Sequence, residues 1–137
     1  MEKELVYVCS PLRADTAKEQ EKNMGFAKIC AESISEAFEC KAIAPHAYFP
    51  EFLDDTNPKE REIAMTICKN IINSCEFVFV IGERISEGMQ VEIFHAKYKN
   101  IPVFRIKNAN DFLDSLKCGN TLKSISDFTE FLVGEDD

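Results

Sequence analysis

Apolar residues along this chain follow two alternating patterns: short unbroken runs, and longer stretches with a helical repeat. Leu5-Val-Tyr-Val-Cys9 is nearly continuous, rich in β-branched side chains and closed by Ser10-Pro11, so it predicts a buried first strand. Thr16 with Glu19 forms a capping box, after which Met24, Ala27, Ala31, Ile34 and Phe38 recur at helical spacing and predict a long amphipathic helix. Residues 41–44 read as a short second strand stopped at Pro45, and residues 46–55 as an irregular aromatic loop. Asn57, Pro58 and Glu60 place an N-cap, a first-turn proline and a capping acid in order. They open a helix that turns Ala64, Ile67, Ile71 and Cys75 inward and ends near Ser74. Phe77-Val-Phe-Val-Ile81 is apolar at every position and predicts a strand buried on both faces at the centre of a sheet. Residues 82–88 form a polar turn, Ser86 caps a helix with Met89, Ile93 and Ala96 on its inner face, and residues 102–105 give a fourth strand. The tail predicts a helix at 111–116, a short fifth strand at 121–124 and a last helix at 127–132.

Strands that alternate with helices imply right-handed crossovers, and hence an α/β fold with a doubly wound parallel sheet and helices on both faces. The 137 residues fit a single domain, 1–137, large enough to bury a core without disulfide or metal staples. Ligands in such sheets bind outside the carboxyl ends of the strands, where the strand order reverses. For a flavodoxin-like order this lies between the first and third strands, where the loops are residues 10–15 and 82–88.

Composition narrows the partners. The formal charge of -8, from 16 Lys and Arg against 24 Asp and Glu, repels nucleic-acid polymers and anionic membranes. A small anion remains compatible, because a few backbone N–H groups and one arginine can hold a phosphate against an unfavourable net charge. No segment approaches the roughly 20 apolar residues of a membrane helix, and a cytoplasmic protein is expected. Cys9, Cys30, Cys40, Cys68, Cys75 and Cys118 form no CxxC pair, and several fall on apolar faces. Reduced thiols are therefore expected, with neither disulfides nor zinc.

Glu92 is the sharpest candidate for chemistry. It follows Met89 by three positions and precedes Ala96 by four, which puts a carboxylate on the inner face of its helix. An unpaired buried charge costs several kcal/mol, so Glu92 either meets a partner such as Arg13 or Arg84 or lines a ligand cavity. A structural ion pair is the plainer reading; its place by the crevice favours function. Ser86 would add a hydroxyl and an anion site of helix N–H groups, or serve only as a cap. Arg13 could grip a phosphate in bidentate fashion, and His46 and Tyr48 could donate a proton or a stacking surface.

With Tyr7-Val-Cys-Ser-Pro-Leu-Arg13, Cys75-Glu-Phe-Val-Phe-Val80, Ser86-Glu-Gly-Met-Gln-Val-Glu92 and Ala96, the chain resembles the nucleoside 2-deoxyribosyltransferase-like superfamily over about residues 5–105. Ala44-Pro-His-Ala-Tyr-Phe-Pro, Phe52-Leu-Asp-Asp55 and Ile85-Ser-Glu-Gly-Met89 look still more like an uncharacterised, often phage- or bacterium-encoded branch of it. The resemblance implies a flavodoxin-like sheet of four to five strands in the order 2-1-3-4-5. It also implies cleavage or exchange of the N-glycosidic bond of a nucleoside or nucleotide, with Glu92 on the family's nucleophilic glutamate. Carboxylate attack at the anomeric carbon through an oxocarbenium-like transition state would then be followed by water or a second base, with His46 as a proton donor to the departing base. Tyr7, Cys9, Ser10, Arg13, Tyr48, Gly82, Ser86, Gly88 and Met89 would bind the substrate. Ser10, Arg13 and Ser86 would surround a 5′-phosphate, and no cofactor would be required. The chain departs from the family at Cys68, where the enzymes carry an aspartate. A second reading is therefore a non-catalytic nucleotide-binding or nucleotide-sequestering protein, and a third an interaction scaffold. The resemblance also implies a homodimer or larger homo-oligomer.

Overall fold

The structure, a computed structural model, describes residues 4–10, 16–48, 57–82, 84–117 and 129–131. Strands β1 (Leu5–Cys9), β2 (Lys41–Ile43), β3 (Phe77–Ile81), β4 (Val103–Ile106) and β5 (Thr129–Phe131) form one sheet in the order β2-β1-β3-β4-β5. The first four are mutually parallel, and β5 runs antiparallel to β4. The expected flavodoxin-like α/β fold is therefore present, with one reversed strand at its edge. Among the described residues no helix is long and apolar enough to cross a membrane.

Helices α1 (Ala17–Phe38) and α4 (Ala109–Lys117) cover one face of the sheet, and α2 (Pro58–Asn73) and α3 (Glu87–Tyr98) the other. Local chemistry sets their starts. The Thr16 hydroxyl accepts from the Glu19 N–H at 3.1 Å, and the Asn57 amide oxygen accepts from the N–H groups of Lys59 and Glu60, with Pro58 in the first turn of α2. Strand residues alternate between the two layers. Val6, Val8, Phe79 and Ile81 pack toward α1 and α4, whereas Tyr7, Cys9, Val78 and Val80 pack toward α2 and α3.

Two expectations need correction. Residues 129–131 are a strand and not part of a helix, because pairing with the open edge of β4 satisfies backbone groups that an isolated helical turn would leave to water. The fifth strand expected at 121–124 lies outside the described residues. In α2 the buried positions are Cys68 and Ile72, while Ile67 is 36% exposed. Apolar residues occupy two overlapping rows of this helix, Ala64-Ile67-Ile71 and Met65-Cys68-Ile72, so helical spacing alone does not say which row faces in. Packing turns the second row toward the sheet.

Candidate active site

The alternation of β1 delivers Tyr7 and Cys9 to the layer beneath α2 and α3, and Ser10 follows at the strand's carboxyl end, also buried. At the end of β3, Gly82 takes φ 115°, a conformation that side chains disfavour, and its N–H donates to the Ile106 carbonyl at 2.9 Å. The chain then re-enters α3 through a tight cap. The Ser86 hydroxyl accepts from the Met89 N–H at 3.2 Å, and the Ser86 N–H donates to the Met89 sulfur at 3.4 Å. That cap orients the first turn so that Met89 and, one turn on, Glu92 point into the sheet. Glu92 is 0% exposed.

Tyr7, Cys9 and Cys68 gather around Glu92. Burial pushes the Tyr7 hydroxyl well above its ordinary range, and the negative charge of Glu92 pushes it further. The same two causes, in the same order, raise the Cys9 thiol, which is hydrogen-bonded to the Glu92 carboxylate. Cys68 is pushed up to about 12, first by burial and then by Glu92, with its contact to Tyr7 acting in the opposite direction. A single carboxyl group thus stands among three groups that hold their protons at neutral pH, of which Cys9 is hydrogen-bonded to it.

Two of the polar atoms here are underused. The Tyr7 hydroxyl leans on the Cys68 sulfur, a weak acceptor, without reaching hydrogen-bond geometry, and the Ser10 hydroxyl has no hydrogen-bond partner among the described residues. A buried polar group left in this state costs about 1–3 kcal/mol. Chemically, the arrangement presents a carboxyl group for nucleophilic or electrostatic use inside a layer that excludes water.

The structure brings Tyr7, Cys9 and Glu92 together with Met89 in the same layer, and sets Ser10 just beyond β1, Ser86 at the cap of α3 and Gly82 at the turn after β3. Gly88, in the first turn of α3, has open space where a Cβ would stand. Tyr48 lies elsewhere. It follows a single 3-10 turn, Pro45–Ala47, is 51% exposed, and has the Lys28 ammonium of α1 at 5.0 Å from its ring centre, on the helix layer opposite to Glu92. Arg13 and the side chain of His46 lie outside the described part of the structure. Arg84 is exposed. Helical spacing missed Cys68 as a neighbour of Glu92, since the row containing Ile67 read equally well. Only the family resemblance drew attention to it.

A flavodoxin-like sheet with a buried carboxyl group on the helix after its central strand defines an α/β protein whose strand order reverses between β1 and β3. The chain belongs to the family described as a domain of unknown function (DUF7768), whose model matches residues 4–106. Among solved structures it is similar to a 2-deoxyribosyltransferase from the psychrotolerant bacterium Bacillus psychrosaccharolyticus, described as a biocatalyst for the synthesis of nucleosides. The identity is 14%, with a TM-score of 0.55 over 72% of this chain and 69% of the other. At that identity the likeness establishes the shared fold. No curated protein matches the chain.

Proposed function

We propose that residues 1–137 form a single cytoplasmic domain of the nucleoside 2-deoxyribosyltransferase-like superfamily that cleaves the N-glycosidic bond of a nucleoside or nucleotide, with Glu92 as nucleophile. The observation that carries this reading is the complete burial of Glu92 among Tyr7, Cys9 and Cys68 on a fold shared with a 2-deoxyribosyltransferase. The Glu92 carboxylate attacks the anomeric carbon and the bond to the base breaks. The base leaves with a proton supplied by His46, and water or a second base then displaces the sugar from the carboxylate. Tyr7 and Cys9 stand beside the carboxylate as donors, and the hydroxyls of Tyr7 and Ser10 take acceptors from the substrate. Arg13 and the N–H groups at the start of α3 receive a 5′-phosphate, and the working unit is a homodimer or larger homo-oligomer.

Cys68 favours a second reading. A thiol pushed up to about 12 holds its proton too tightly to act as the acid that an aspartate in its place would provide. The same pocket would then retain an intact nucleotide as a binding or sequestering protein. Chromatographic detection of free base from a panel of nucleosides and nucleoside 5′-monophosphates separates the two. The enzyme reading expects release that Glu92→Gln lowers by at least about 1,000-fold while the fold is kept. No release across the panel overturns it, and intact nucleotide recovered by heating the loaded protein establishes the binder.

A further inference from the structure

The helix that carries Glu92 is apolar on two sides. Met89, Ile93 and Ala96 pack into the sheet, while Val91, Phe94 and Tyr98 recur three and four residues apart on the outer side, with Phe94 72% and Tyr98 73% exposed. Single exposed apolar residues are ordinary, but two aromatics and a valine in one row over two turns form a continuous surface strip. The strip has a firm border toward α2. His95 Nε2 and Asn73 Oδ1 meet at 2.8 Å, and Lys69, Val91, Phe94, His95 and Tyr98 enclose a hollow of about 190 Å³.

Charge is graded along the same strip. Glu87 stands one turn ahead of Val91 at the amino end, and Lys99, whose ammonium lies 5.8 Å from the Tyr98 ring centre, stands at the carboxyl end. Lys69 flanks that cationic end, on a chain whose net charge is -8. Two copies of the strip laid antiparallel across a two-fold axis place Val91 of each against Phe94 of the other, and Glu87 of each against the Tyr98–Lys99 end of the other. Laid parallel, the same strips oppose like charges. The surface is therefore self-complementary in one orientation, which is the requirement for an isologous dimer.

We propose that the protein forms a two-fold homodimer through antiparallel packing of α3 on α3, centred on Val91 and Phe94. This rests on the homo-oligomer part of the proposed function and gives that assembly a surface. Phe94 is two residues from Glu92 on the opposite side of the helix, so the partner copy braces the element whose inner side bears the carboxyl group. The N-glycosidase reading can fail without affecting the dimer.

Sedimentation of the full chain across a micromolar concentration range tests this directly. The wild type is expected at twice the chain mass of 15.6 kDa at the upper end. Phe94→Asp should raise the dissociation constant by at least about 100-fold with an unchanged circular dichroism spectrum. Glu87→Lys and Lys99→Glu, both at exposed positions, should each weaken the dimer by about 5-fold, and the double variant should return to within about 2-fold of wild type. A chain that stays monomeric throughout overturns the homo-oligomer itself. An oligomer indifferent to Phe94→Asp overturns the α3 surface, and a Phe94-dependent dimer that the double charge swap fails to repair overturns the antiparallel arrangement.

Discussion

The two faces of this sheet are made by the same strands and differ in what they bury. On the α1 and α4 side the strands contribute an aromatic layer: the Phe77 and Phe79 rings meet edge-on at 5.2 Å, Phe77 meets Phe104 at 5.7 Å, and Phe79 meets Phe112 of α4 at 6.0 Å. Such contacts add packing specificity to the area they bury. One residue along each strand, the α2 and α3 side holds Tyr7, Cys9, Cys68 and Glu92 among its aliphatic neighbours. The first face buries only apolar side chains and thiols. The second gives up part of that apolar packing to surround a carboxyl group with protonated hydroxyl and thiol groups. Period-two alternation thus sorts stability from chemistry on a single set of strands.

That contrast can be broken from either side. Phe79→Ala, on the aromatic face, should destabilise the fold by about 3–5 kcal/mol in urea unfolding, with activity or ligand affinity per folded molecule unchanged. A loss of function larger than the loss of folded protein would mean that the faces are not separable.

A smaller effect is expected from pH. Cys30 on the aromatic face and Cys68 on the polar face are both raised from 9.0 to about 12, each first by burial. Their folded thiols keep protons that the unfolded chain releases, so their contribution is fully present below pH 9 and is lost as pH rises toward 12. Urea midpoints should fall between pH 8 and 10.5 by the equivalent of about 2 kcal/mol or more. Glu92→Gln should make that fall shallower by easing Cys68, and should leave the share due to Cys30 intact. A flat profile would refute the account of both thiols.

The smallest stability change is predicted for Tyr7→Phe. Its hydroxyl makes no hydrogen bond of good geometry within the fold, so stability should stay within about 1 kcal/mol of wild type or rise, while activity or nucleotide affinity drops by about tenfold. A destabilisation comparable to that of Phe79→Ala would show that the hydroxyl is a structural bond and not a ligand contact.

Most of the fold was legible along the chain. Unbroken runs at Leu5–Cys9 and Phe77–Ile81, the caps at Thr16, Asn57 and Ser86, and the inner row Met89-Ile93-Ala96 are local signals, and each acts through its own few residues. The inward position of Glu92 was legible for the same reason, since it follows from spacing within one helix. The second row of α2 was not, because Ile67 and Cys68 are equally apolar neighbours and only contact with β1 and α3 chooses between them. Nor was the strand at Thr129–Phe131, whose existence depends on the unpaired edge of β4. The placement of Tyr48 over Lys28 belongs to the same class, since the turn that carries it packs on α1.

Sequence by itself therefore determined the elements from β1 to β4 and the presence of one inward carboxylate. Tertiary structure alone decided what surrounds that carboxylate. Tyr7 and Cys9 come from β1 and Cys68 from α2, elements far apart along the chain, and their protonation is set by shared burial and by the charge of Glu92. Those are properties of an assembled interior, where the distance between side chains, and not their separation along the backbone, fixes the energy.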